Sequence, residues 1–329
     1  MLLSVVVPCY NEEAVLRATH ERLTSVLAGM STIEYELIFV NDGSRDDTQL
    51  ILTQLQLVDP HMRVLLLSRN FGHQIAVTAG LEEAAGDAVV IIDADLQDPP
   101  EVIPQMVGLW RDGNDVVYGV RIERPGESAF KLWTAKVFYR LINRLSETKM
   151  PFDAGDFRLL DRRVVEVVNA MPERARFLRG MVSWAGFRQV ELPYERAARH
   201  AGESKYPLRK MVHFAMDGII SFSLVPLKLA IWMGFLSIWI AVAGIIVAIV
   251  DRLLDKHLTR GWASLFVAVL FMGGVQLLSL GIIGEYLGRI YTEVKRRPLY
   301  AVQERLGFAT RKEHAKGAGA RDEEVNAVV

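Results

Sequence analysis

The sequence predicts an α/β domain built on a mostly parallel sheet and followed by a two-helix membrane hairpin. Three observations predict it. From residue 1 to about 120, short β-branched runs alternate with segments of helical period; each run ends in a polar cluster; and two long apolar stretches lie in the last third of the chain.

The expected strands are 2–7, 35–40, 64–68, 88–93 and 115–119, separated by helical segments 12–28, 47–57, 74–85 and 101–110. Strands that are apolar throughout and joined by helices indicate a parallel sheet covered on both faces. Ligands of such sheets bind beyond the carboxyl ends of the strands. The polar clusters fall there: Pro8–Glu13, Asn41–Asp47, Ser68–His73 and Asp93–Pro100 follow the first four strands in turn. Met1–Val7 carries no basic leader and Pro8 interrupts it after one strand's length, so it is expected to be a strand rather than a signal peptide.

Composition narrows the class. A hydrophobic content of 51% with a mean hydropathy of +0.19 exceeds what a purely soluble enzyme needs. Lys+Arg 38 against Asp+Glu 39 gives a net charge of -1 and no global basic field to collect nucleic acid. The one cysteine, Cys9, excludes an intrachain disulfide and an all-cysteine metal cage, and fits a catalytic domain in reducing cytosol.

The apolar stretches 227–250 and 263–284 each reach the roughly 20 residues that span a hydrocarbon core. The linker 251–260 is short, so both outer flanks lie on one side of the membrane. Those flanks carry Lys205, Arg209, Lys210, Lys228, Arg289, Lys295, Arg296 and Arg297, eight cations against Arg252, Lys256 and Arg260 in the linker, which places the flanks in the cytosol. The expected layout is a cytosolic catalytic domain over 1–225, the spans within 226–290, a juxtamembrane segment over 291–308 and a disordered tail over 309–329, on a multi-pass protein of the inner (cytoplasmic) membrane. Residues 128–145 alternate aromatic and basic residues as a helix on an anionic bilayer does, or as a helix packed on its own domain does; 207–224 is a second interface candidate. Gly284 and Gly288, with Gly273 and Gly274, would permit close helix approach.

Asp93-Ala94-Asp95 follows an apolar strand, and two carboxylates at i and i+2 can share one hard cation while leaving positions for diphosphate oxygens. Ordinary turn chemistry is the competing account. Asp98, ahead of Pro99, Pro100 and Glu101, is expected to cap the next helix. Asn41-Asp42-Gly43-Ser44 is either a plain turn or, beside Pro8–Glu13, half of a grip on a uracil and its ribose.

The strings VVPCYNEE, NDGSRDDT, SRNFG, DADLQDPP, GDFRLLDR, GESKYPLRKM and GEYLGRIYTEVKRRP, with two spans in the proper place, resemble glycosyltransferase family 2. Within it the chain is similar to the polyprenyl-phosphate (bactoprenol) glycosyltransferases, relatives of dolichyl-phosphate mannose synthase, over residues 2 to about 305. The resemblance implies a GT-A (Rossmann-like) fold, a UDP-sugar donor, Mg2+ or Mn2+, a polyprenyl phosphate acceptor and a homotetramer. By the same resemblance Pro8, Tyr10, Glu12 and Asp42 meet the base and ribose; Asp93 and Asp95 hold nucleotide and metal, with Ala94 and Gln97 beside them; Asp156 is the acceptor-side acid or base; and Ser204, Lys205 and Tyr206 belong to a loop closing over the diphosphate.

Lys205 is then a point charge for the leaving group or a lysine that meets head groups. Arg158 is a phosphate clamp or a structural ion-pair partner. A phosphate monoester is largely ionised at neutral pH, with a second pKa of ~6, so Asp156 is expected to orient the acceptor as much as to take a proton. Direct attack implies inversion. Glucose is the favoured sugar, because GDFRLLDR and GESKY look closest to the bactoprenol glucosyltransferases; GDP-mannose, a UDP-aminopentose, or a nucleotide-binding scaffold without turnover are the alternatives. The Gln-x-x-Arg-Trp motif of processive polysaccharide synthases is absent from the sequence.

Overall fold

The structure, a computed structural model, describes residues 1–122, 154–195, 225–253 and 262–308. Two compact units emerge, one holding the sheet and the other the long helices. The segments expected at 128–145 and 207–224, the tail 309–329 and Ser204, Lys205 and Tyr206 lie outside the described residues.

The sheet unit runs β1 (Leu2–Cys9), α1 (Leu16–Ala28), β2 (Glu34–Asn41), α2 (Thr48–Val58), β3 (Met62–Leu67), α3 (His73–Glu83), β4 (Ala88–Ile91), a 3-10 turn (Pro100–Val102), α4 (Ile103–Arg111) and β5 (Val116–Arg121). It continues with β6 (Ala154–Asp161), α5 (Arg162–Ala170), α6 (Leu178–Trp184) and β7 (Gln189–Tyr194), and β8 (Val302–Leu306) rejoins it after the long helices. One sheet carries all eight described strands in the order β7-β5-β6-β4-β1-β2-β3-β8. β6 is antiparallel to β4 and β5, and β8 to β3; the other pairings are parallel. The sheet is therefore Rossmann-like and mostly parallel, as expected.

The neighbours of β5 differ from a simple parallel series. β6 inserts between β4 and β5, pairing Ile91 with Arg158 on one side and Tyr118 with Arg158 on the other. Asp156 and Arg158 interrupt its apolar pattern, and it follows a long non-strand segment, so alternation alone does not reveal it. β8, drawn from the juxtamembrane segment, is likewise polar at three central positions.

Burial explains why the first strands are so apolar. Val5, Val7, Leu37, Phe39 and Val64 face a core shared with α1, α2 and α4, while Val6, Ile38, Val40 and Leu65 face one shared with α3, α5 and α6. Phe39 is fully buried, and truncating such a residue to alanine costs about 3–5 kcal/mol. With helices packed on both faces, the free ends of the strands are the available place for a ligand.

The helical unit holds α7 (Val225–Leu253) and α8 (Trp262–Val294), which pack against each other. Both are long and apolar enough to cross a membrane, and α8 at 33 residues is about 50 Å long. Large apolar side chains stand exposed along both, Trp232 and Leu277 at 72% each. Ser237 and Ser279 hydroxyls donate to the carbonyls of Met233 and Val275 one turn back. A Cβ added at Gly273, Gly274, Gly284 or Gly288 would meet nothing within 4 Å, so the close approach expected at these glycines does not occur among the described residues.

Candidate active site

The loops after β1 and β2 are stitched together. Asn11 N donates to Ser44 Oγ at 2.9 Å and Arg45 N to Asn11 Oδ1 at 2.8 Å; Glu12 N donates to Thr48 Oγ1 at 2.9 Å, and Asp47 N to Glu13 Oε2 at 2.9 Å. Asn11 takes a left-handed φ of 57°, which asparagine tolerates, and Gly43 one of 64°. Gly43 also has no room for a side chain, since a Cβ would lie 2.4 Å from the Arg69 carbonyl carbon. Tyr10 stands 42% exposed above this platform and Glu12 is half-buried in it, whereas Pro8 is buried at the end of β1.

Asp42 holds the third loop. Its Oδ1 and Oδ2 accept from the amides of Phe71 at 2.7 Å and Gly72 at 2.9 Å, and the residue is 3% exposed. Burial raises its pKa, against those two amide bonds. Here Asp42 aims the segment that starts α3.

The loop after β4 alternates. Asp93, Asp95 and Gln97 are half-buried, while Ala94, Leu96 and Asp98 between them are buried. Gln97 N donates to Asp95 Oδ1 at 3.1 Å, and Leu96 takes a left-handed φ of 58°. Such a conformation is costly for leucine and persists only where the surroundings impose it. The expected cap at Asp98 does not form. Pro99 occupies the N-cap position of the 3-10 turn without a side-chain cap bond, and Asp98 instead turns inward, where Tyr194 donates to it and Arg121 lies 4.0 Å away. The two prolines start the turn one residue later than the capping pattern requires.

Asp156 arrives from β6 in the middle of a charged cluster. Arg179 Nε donates to its Oδ1 at 2.8 Å, and His73 Nε2 and Gln74 Nε2 each lie 3.2 Å from its Oδ2. His73 Nε2 is also 3.8 Å from Asp93 Oδ1, so one imidazole links the β4 acid loop to β6. Burial would raise the Asp156 pKa, but the Arg179 charge and the bonds from His73 and Arg179 hold it well below the usual carboxylate range. Asp93 moves the other way, to about 6, through burial and the like charges of Asp156, Asp98 and Asp95, which outweigh His73. His73 is raised to about 9: burial opposes this, but the bond to Asp156 and the charges of Asp93 and Asp156 prevail.

Arg158 points into the protein. It is 4% exposed, its Nη2 donates to Gly155 O at 2.8 Å, and burial lowers its pKa to about 10. That bond is to a backbone carbonyl, and the ion pair expected of Arg158 is not seen among the described residues.

Pro8, Tyr10, Glu12, Asp42, Asp93, Ala94, Asp95, Gln97 and Asp156 thus all come from one end of the sheet. His73 is anticipated only as the end of the third polar cluster, and Gln74 and Arg179 are not anticipated from the sequence. His73 and Gln74 directly follow the SRNFG string, a usable signal; Arg179 stands 23 residues after Asp156 and only the fold pairs them.

A divalent cation fits this end of the sheet in part. Among the described residues no group of three or more His, Cys, Asp or Glu is arranged to hold a metal alone. Asp93 and Asp95 offer hard oxygen donors, and the like-charge crowding that raises Asp93 is what a cation relieves. A substrate diphosphate would add further oxygen ligands beside them.

The comparisons agree with this geometry. The model of glycosyl transferase family 2 matches residues 4–168, and that of the GtrB C-terminal hairpin residues 225–290. The chain is 48% identical over 309 residues to YkcC of Bacillus subtilis (strain 168), described as an uncharacterized glycosyltransferase, covering 94% of this chain and 95% of that protein. It is 42% identical over 303 residues to the bactoprenol glucosyl transferase of Shigella phage SfII, covering 92% and 98%. To that of Shigella phage SfX it is 40% identical over 305 residues, covering 93% and 100%. With its acid-bearing strand ends inside the matched region and its apolar helices inside the matched hairpin, the protein belongs to glycosyl transferase family 2 and is a glycosyltransferase.

Proposed function

We propose that the protein transfers a sugar, glucose first, from a UDP-sugar to polyprenyl phosphate (undecaprenyl phosphate) at the cytosolic face of the inner membrane, with inversion at the anomeric carbon and with Mg2+ or Mn2+. The carrying observation is the meeting of Asp93, on the loop after β4, with Asp156, on β6, across His73 at 3.8 and 3.2 Å. Two relatives named bactoprenol glucosyl transferases support the acceptor and the sugar.

In this reading Tyr10 and Glu12 meet the uridine, and Asp42 keeps the neighbouring loop in place. Asp93 and Asp95, with Gln97 beside them, hold the cation, whose chemistry is to neutralise the diphosphate as it leaves. Ser204, Lys205 and Tyr206 close over the donor. Asp156, already bonded to Arg179, His73 and Gln74, is poorly placed to take a proton and serves to orient the acceptor phosphate and the cations around it. Arg158 supports β6 from inside. The apolar helices keep the isoprenoid in the bilayer, and the cation asymmetry of their flanks puts the catalytic unit in the cytosol. A homotetramer is the assembly this reading carries.

The test is a donor screen with undecaprenyl phosphate in nanodiscs. UDP-glucose with Mn2+ is expected to yield a lipid-linked hexose, and EDTA to abolish it. No product with any UDP- or GDP-sugar sinks the proposal.

A further inference from the structure

The acid loop is held at two points by side chains that the mechanism does not use. Thr19, on α1 and 2% exposed, donates its one hydroxyl proton toward Ala94 O at 2.7 Å, the nearer of two carbonyls that compete for it, Val15 O lying at 3.0 Å. Ala94 lies between Asp93 and Asp95, so this bond fixes the peptide between the two acids. At its other end Tyr194, the last residue of β7, donates to Asp98, which is 1% exposed. The Tyr194 ring meets Phe157 edge-on at 5.5 Å, and it has room only because residue 119 is glycine: a Cβ there would lie 2.7 Å from Tyr194 Cε1.

The segment between the anchors is a turn, with Leu96 left-handed, and in it Asp93, Asp95 and Gln97 are half-buried while Ala94, Leu96 and Asp98 are buried. Holding the Ala94 carbonyl and the Asp98 carboxylate fixes the path of the backbone that carries Asp93 and Asp95. Neither anchor is near the loop in sequence, 75 and 96 residues away, and both bonds are buried.

We infer that Thr19 and Tyr194 are positioning residues that set the spacing of Asp93 and Asp95 for a divalent cation. This rests on the metal-bound donor proposed above. Removing either hydroxyl leaves the acids in place but lets the loop relax. Loss of one such bond weakens cation binding about three- to tenfold.

The test measures Mn2+ binding by EPR on the full-length protein with UDP, for wild type, Thr19→Val, Thr19→Ser, Tyr194→Phe and Asp95→Asn. Thr19→Val and Tyr194→Phe are expected to raise the Mn2+ dissociation constant about three- to tenfold and the Mn2+ activation constant by the same factor, with the KM for polyprenyl phosphate unchanged. Thr19→Ser, which keeps the hydroxyl, is expected to bind as wild type does. A merely structural role would lower the thermal midpoint without this selective shift. Wild-type Mn2+ binding in both Thr19→Val and Tyr194→Phe, alongside loss in Asp95→Asn, overturns the inference and leaves the metal reading standing. Wild-type protein that binds no Mn2+, or Asp95→Asn that binds it normally, overturns both. Should Tyr194→Phe fail to fold, the contrast between Thr19→Val and Thr19→Ser decides alone.

Discussion

The two ends of the sheet differ in whether every buried acid is compensated. At the amino ends of the strands, Glu36 accepts from Ser4 Oγ at 2.5 Å and from Ala85 N at 2.7 Å, with Arg63 Nη1 at 2.5 Å from its second oxygen. Asp59 at the same end is bonded to His20 and His61. At the carboxyl ends Asp42, Asp98 and Asp156 are bonded too, but Asp93 is buried and crowded by Asp156, Asp98 and Asp95, with His73 as the opposing charge. The uncompensated acid is thus Asp93, and a crowding that costs stability persists where a ligand uses it.

The sharpest way to break this contrast is to remove one acid from each end. Asp93→Asn is expected to lower kcat/KM by about 10^3-fold or more, because leaving-group neutralisation is lost. Its thermal midpoint should be no lower than wild type, since the substitution relieves crowding among like charges. A stability loss with activity retained would reverse the assignment. At the other end, Arg63→Met leaves Glu36, 3% exposed, without its cation and is expected to destabilise the fold by about 2–3 kcal/mol. Turnover per folded molecule should stay within about twofold.

Gly43 sharpens the comparison because it serves the platform beneath the site. Alanine there must adopt a φ near 64° and place its Cβ 2.4 Å from a backbone carbon. The expected cost is about 2 kcal/mol, with KM for the donor raised several-fold as the loops of β1, β2 and β3 separate. Unchanged donor KM in Gly43→Ala, measured at a temperature where the protein is folded, would detach that platform from nucleotide binding.

How much of this is legible in the sequence follows from the same division. β1 to β4 are apolar over most of their length because both faces are covered, with Ser4, Glu36 and Arg63 among the polar exceptions toward the amino ends, and the loops after them announce themselves by Asp, Asn and Gly at the strand ends. β6 carries Asp156 and Arg158 on a face that elsewhere is Val and Leu, so periodicity passes over it and only the GDFRLLDR string marks it. The inward turn of Asp98 depends on Tyr194, 96 residues away, and no local pattern can report that pairing. Arg179 is hidden for the same reason. Local chemistry marks the residues that face a ligand; those that hold them appear only once the chain is folded.

The amino end also makes a pH prediction. Burial would raise the Asp59 pKa, but the His61 amide and the His20 side chain bond its ionised form and hold it below the usual 3.8. A folded value below the unfolded one means that the carboxylate stabilises the fold above the ordinary carboxylate range. That contribution is lost as pH falls through the folded value. Asp59→Asn should therefore be less stable than wild type by about 1 kcal/mol at pH 7, and the gap should close as pH falls below the ordinary carboxylate value. Thermal midpoints of the two proteins at pH 7, 5, 4 and 3 check this. A gap of constant size would mean that shape rather than charge makes Asp59 matter, and the amino end would then not be an electrostatic counterpart of the site.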